Sequence, residues 1–146
     1  MIKASSYWRR AKDPKRALDV TKPLLEEHLV SGIRSAVFTT RGGALRDLAD
    51  LDAAERCAQE AIDHNRTSHH PYNLLGAICW QRGEAEEGHE WFAHAQERGA
   101  LLQDQEREQK HALELADPQQ RGDVAKYLLE KDPTKYGWAK HYLQER

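Results

Sequence analysis

The chain is poor in the residues that build strands and in those that carry most catalytic chemistry. β-Branched residues are sparse, while Ala, Leu, Glu, Gln, Lys and Arg dominate, so helices rather than sheets are expected. Cysteine occurs twice, at Cys57 and Cys79, each inside a helical pattern. Such thiols read as free, buried and cytoplasmic; a disulfide, a zinc site or a nucleophile needs more partners than the sequence supplies. No apolar run reaches about 18 residues, so no transmembrane helix is expected. The first residues, MIKASSYWRRAKDPKR, contain no apolar stretch of the kind a secretory leader needs. Basic residues are not in excess: 22 Lys and Arg face 24 Asp and Glu, for a net charge of -2. Generic nucleic-acid binding usually requires the opposite balance.

What is present is a pattern written twice between Ser35 and Leu102. Gly42 and Gly76 stand 34 apart, as do Phe38 and Tyr72, Ala54 and Gly88, Ala58 and Phe92, and Ala61 and Ala95. Five pairs at one offset, without an insertion, mark a repeat architecture. The 146 residues are 39% hydrophobic and 32% charged, with a mean hydropathy of -0.88. That polarity suits an elongated helical protein whose helices stay partly wet.

In chain order, Ile2 to Ala11 reads as a helix carrying Tyr7 and Trp8. Asp13-Pro14 starts another, reaching about His28, with Ala17, Val20, Leu24 and Leu25 as its stripe and Pro23 kinking or tightening it. Leu29 to Gly32 connects to the doubled unit, two antiparallel pairs with helices of about 12–14 residues each. The pairs break at Ala49-Asp50 and at Gly83, and the loop His64 to His70 separates them. Small residues sit where paired helices must touch, Gly42 and Gly76 and then Ala54 and Gly88, and Gly99 reads as a stop. Beyond Ala100 the period is lost. Leu101 to Leu115 reads as a charged helix anchored by Leu102, Leu113 and Leu115, and Asp117-Pro118 and Asp132-Pro133 start two more, the last running to about Gln144.

The doubled stretch resembles the tetratricopeptide repeat (TPR), whose 34-residue unit spaces an aromatic, Leu-Gly, an aromatic, Ala, an aromatic and Ala. The second copy carries Tyr72, Leu75-Gly76, Cys79 in an aromatic's place, Gly88, Phe92 and Ala95; the first carries Phe38, Gly42, Leu45, Ala54, Ala58 and Ala61. Arg41 departs from the usual Leu, and Arg66 and Ala100 replace the closing Pro. The resemblance implies an all-α, right-handed solenoid: a diverged first repeat over 1–34, repeats over 35–68 and 69–102, and a capping region over 103–146. It also implies a concave groove lined by the first helix of each pair. Carried over by offset, the lining is Thr39, Gly43, Arg46 and Asp47 from one repeat and His70, Asn73, Ala77, Trp80 and Gln81 from the next, with Ser6, Arg9 and Arg10 from the diverged unit. Arg9, Arg10 and Arg46 would give one end a basic character suited to carboxylates. Trp80 reads either as a groove anchor or as packed against the C-terminal cap. The Lys/Asn clamp of chaperone-binding relatives is absent, because Ser6, Ala36 and Thr40 occupy its positions.

No catalytic constellation assembles. His89 and His94 frame His-Glu-Trp-Phe-Ala-His, but five residues separate them by about 140° on a helix, whereas the zinc-protease spacing of four keeps one face. His69-His70 has no third ligand at suitable spacing. Arg121-Gly122-Asp123 is read as an accidental tripeptide within a helix. The expected function is therefore a non-enzymatic, cytoplasmic adaptor without metal or cofactor, binding a protein segment, acidic or extended, in the groove. Two further readings come from the N-terminal edge, where no polar capping helix precedes the first one. One is a C-terminal accessory or regulatory domain of a larger enzyme or nucleic-acid-associated machine; the other is a self-associating scaffold, a homodimer formed through the N-terminal helices.

Overall fold

The computed structural model describes residues 12–26 and 30–143; the helix expected over residues 2–11, and with it Ser6, Arg9 and Arg10, lies outside them. Every regular element among the described residues is helical. Helix α1 (Pro14–Thr21) starts where Asp13-Pro14 predicts: the Asp13 carboxylate accepts from the Arg16 amide, and Pro14 takes the first turn, where its missing N–H costs nothing. It ends sooner than the sequence suggests. At Lys22 the chain tightens into a 3-10 segment through Glu26, with Pro23 inside it. Arg41 ties this end down, its Nη1 donating to the Leu18 carbonyl at 2.8 Å and to the Thr21 hydroxyl at 3.0 Å. An arginine that breaks the repeat pattern thus holds α1 against the next helix.

Two helical hairpins follow: α2 (Ser31–Asp47) with α3 (Leu51–His64), and α4 (His70–Gln81) with α5 (Ala85–Glu97). Helix α2 begins four residues before the predicted Ser35, and Ser31, Gly32 and Ile33 of this added turn are exposed. The hairpin turns are the same structure at an offset of 34. Leu48, Ala49 and Asp50 donate to Leu45, Arg46 and Leu45; Arg82, Gly83 and Glu84 donate to Cys79, Trp80 and Cys79. This double closure satisfies the carbonyls that a helix end leaves open. It requires a left-handed residue, which is Gly83 at φ 83° in one copy and Ala49 at φ 64° in the other.

The hairpins close tightly because their contact points are glycines. A Cβ on Gly42 would lie 2.7 Å from Leu74, one on Gly76 2.8 Å from the Phe92 ring, and one on Gly88 2.2 Å from Trp80 Cδ1 and 2.8 Å from the Gly76 carbonyl. Helix α4 is the centre of the molecule. All its residues except His70 and Asn73 are buried, and it packs against α2, α3 and α5 as well as the C-terminal helices.

Those helices are α6 (Leu102–Leu115), α7 (Pro118–Lys131) and the short α8 (Lys140–Leu143), the last entered through a 3-10 turn at Gly137–Ala139. Of the three leucines expected to anchor α6, only Leu113 does so. Leu102 and Leu115 are exposed, and Gln105, Gln109, Ala112 and Leu113 form the buried face. Gln105 makes this possible: its amide donates to Asn73 Oδ1 at 2.9 Å and the Phe92 carbonyl at 2.8 Å and accepts from Gln96 at 2.7 Å. Asp132-Pro133 begins a turn rather than a continuous helix. Asp132 closes α7 and its carboxylate accepts from the Lys135 amide. Trp80, Phe92, Leu113, Val124, Leu128, Tyr136 and Tyr142 then form one core between the second hairpin and the C-terminal segment.

Gly88→Ala is expected to lower unfolding free energy by about 2 kcal/mol, because overpacking against Trp80 and the backbone exceeds the gain in helix propensity. Gly32→Ala, where an added Cβ meets nothing within 4 Å, should instead raise it by about 0.5 kcal/mol. Ala49→Gly relieves a left-handed alanine and should add about 0.5–1 kcal/mol. Urea unfolding of the three variants checks all three signs.

Candidate functional site

Helices α2, α4 and α6 border an open groove of about 730 Å³. Thr39 and Gly43 come from α2, and His69, His70, Asn73 and Leu74 from the start of α4. Asp104, Arg107, Glu108 and His111 complete it from α6. Their spacing of three, four and seven places all four on one helix face. That stripe follows an i, i+3, i+4, i+7 spacing in the sequence but lies beyond the 34-residue period.

The predicted groove residues divide. Thr39 and Asn73 reach the wall, as do Gly43 and His70. Thr39 spends its hydroxyl on the Ser35 carbonyl. Asn73 has its oxygen fixed by Gln105, which aims the amide in one orientation. Asp47 is largely covered and meets His111 Nε2 at 3.1 Å across the groove end. Arg46, Ala77, Trp80 and Gln81 are corrections: all four are buried and line no open surface. For Trp80 the cap reading holds. Its ring meets Phe92 at 4.9 Å and Tyr136 at 6.5 Å, and its Nε1 donates to the Ala85 carbonyl at 3.0 Å. The C-terminal helices cover the far end of α4, so positions that the offset assigns to a groove become core.

Arg46 gives no free basic end. Its side chain is 0% exposed, and Nη1 lies 2.6 Å from Glu108 Oε1 while Nη2 lies 3.3 Å from Asp47 Oδ1. Glu108 pairs with the guanidinium by charge, and Nε and Nη1 make no hydrogen bond among the described residues. The neighbouring Gln81 donates to the Arg46 carbonyl, and its own oxygen is likewise buried without a donor.

The other sequence candidates fall into place around this frame. His89 faces Tyr127 while His94 lies beside Tyr72 and Trp91, so the two histidines serve different surroundings. No group of three metal-ligating side chains occurs among the described residues. Burial raises the Cys57 thiol and pushes Cys79 up to about 12, helped by Glu84 and Glu87, so neither is disposed to form a thiolate. Arg121 of the Arg-Gly-Asp tripeptide sits within α7 and donates to the carbonyls of Leu113, Glu114 and Ala116 at the end of α6. No helix among the described residues is long and apolar enough to cross a membrane. Comparison with family models, curated proteins and solved structures finds no match.

Partial desolvation of its ring against the groove, with the neighbouring His69, lowers the His70 pKa, while Asp104 opposes this; burial with Lys131 and Lys135 lowers that of His89. The folded protein therefore favours both neutral rings. Above the unfolded value of about 6.5 nothing is lost, but as pH falls below it the unfolded chain binds protons first and stability declines until the folded values are passed. Denaturant unfolding should show a smaller loss between pH 7.5 and pH 5 for His70→Asn/His89→Gln than for the parent protein.

Proposed function

We propose that the protein is a non-catalytic, TPR-like interaction module that holds an extended protein segment in the groove between α2, α4 and α6. The observation that carries this reading is the groove itself, an open cleft bordered by α2, α4 and α6. It has Gly43 on one wall and an Asn73 amide held by Gln105 on another. An extended chain carries unpaired backbone donors and acceptors, and a fixed amide with a nearby flat surface suits that chemistry. The doubled hairpin turn adds support, since stacked repeats generally present such faces. A cytoplasmic setting fits the two free thiols.

The test is affinity capture from the native host followed by mass spectrometry. Thr39→Arg/Asn73→Ala should fill and disable the groove, reducing recovery of specific partners at least about tenfold, an effect of order 1.4 kcal/mol. Gln59→Arg on the outer face of α3 should leave recovery unchanged. Equal recovery with both variants would remove the groove from the reading and favour an accessory or self-associating role.

A further inference from the structure

Arg46 is an unusual residue to bury. Its guanidinium is sealed from solvent, yet among the described residues only Nη2 makes a hydrogen bond, at 3.3 Å to Asp47. A buried charge normally recruits partners for its donors, and an arginine is most fully satisfied by a carboxylate that meets two N–H groups side by side. Glu108 neutralises the charge from α6, far along the chain, without making a hydrogen bond to it. Glu108 itself is 31% exposed and lines the groove. Glu108 is therefore a groove-lining side chain that also reaches the buried guanidinium.

Resting on the groove reading above, we propose that Arg46 is a carboxylate-binding site behind the groove-lining Glu108, and that Glu108 occupies it as an internal stand-in for an acidic residue of the bound segment. Binding is an exchange. Asp47 and Glu108 already set two carboxylates against one guanidinium, so a ligand carboxylate enters as Glu108 swings into the groove. The charge beside Arg46 then stays constant, and the newcomer gains the paired hydrogen bonds that Glu108 does not make. The C-terminal helix thus holds the site closed until an acidic segment competes.

The test uses the full chain and three acetylated hexapeptides titrated by calorimetry: one with a central Glu and an amidated end, one with Gln in its place and a free carboxylate end, and one with Gln and an amidated end. An internal competitor acts at an effective concentration of about millimolar or more, so Glu108→Gln should tighten binding of a carboxylate peptide at least about tenfold and leave the neutral peptide unchanged. The first two peptides tell a side-chain carboxylate from a chain terminus. A second measurement needs no peptide. The melting temperature of Glu108→Ala should rise with sodium acetate beyond its rise with sodium chloride, and the parent protein should show no difference between the salts. Acetate rescue without peptide binding would retain the carboxylate site and overturn the peptide reading of the groove. Peptide binding that is indifferent to charge and to Glu108, with no acetate rescue, would overturn the Arg46 proposal and retain the groove.

Discussion

The close approach of Trp80 to Gly88 sets the rest of the structure. An indole lying against a glycine backbone lets α4 and α5 meet with almost no space between them, and its far side is then free to accept the C-terminal segment. With a Cβ at position 88 only 2.2 Å from the ring, no other residue fits without displacement. The Ala85 carbonyl takes the indole N–H, so the ring is buried with its one polar atom satisfied. From this point Phe92 packs on one side and Tyr136 on another, and Leu113, Val124 and Leu128 close the same cluster.

Polar contacts then decide how α6 lies. A helix with few apolar residues is held by Gln105, whose single amide links α4, α5 and α6. Its burial costs little because every donor and acceptor it presents is used. The same placement turns Asp104, Arg107, Glu108 and His111 toward α2 and α4, which creates the groove. It also brings Glu108 to Arg46 and His111 to Asp47, two contacts across the end of that groove. Core and site therefore share one cause: the way α6 is seated on α4.

Much of the helical layout was legible in the residues. Asp13-Pro14 and Asp50 mark helix starts through side-chain caps, and the glycines 34 apart mark close helix contacts. The hairpin turns repeat at that same offset even though Ala49 must adopt a conformation that suits Gly83 better. Groove membership was less legible. Thr39 and Asn73 follow from the offset, because early positions of each first helix remain uncovered. Arg46, Ala77, Trp80 and Gln81 do not, because a repeat offset assigns a face but cannot say which later helix covers it. The Asp104–His111 stripe belongs to a non-repeating helix, and only its seating on Gln105 reveals that it faces the groove. The early end of α1 was half legible: Pro23 signals a disturbance, while its anchoring by Arg41 depends on a contact between distant residues.

The central claim is that α4 joins the hairpins and the C-terminal helices into one cooperative unit. Native-state hydrogen exchange across a denaturant series tests it most directly. The account predicts that amides of α4 around Leu75 to Trp80 and those of α7 around Val124 to Leu128 exchange at the same, global unfolding free energy. Release of the α7 amides at a distinctly lower free energy, with α4 still protected, would contradict it and make the C-terminal helices a separable cover.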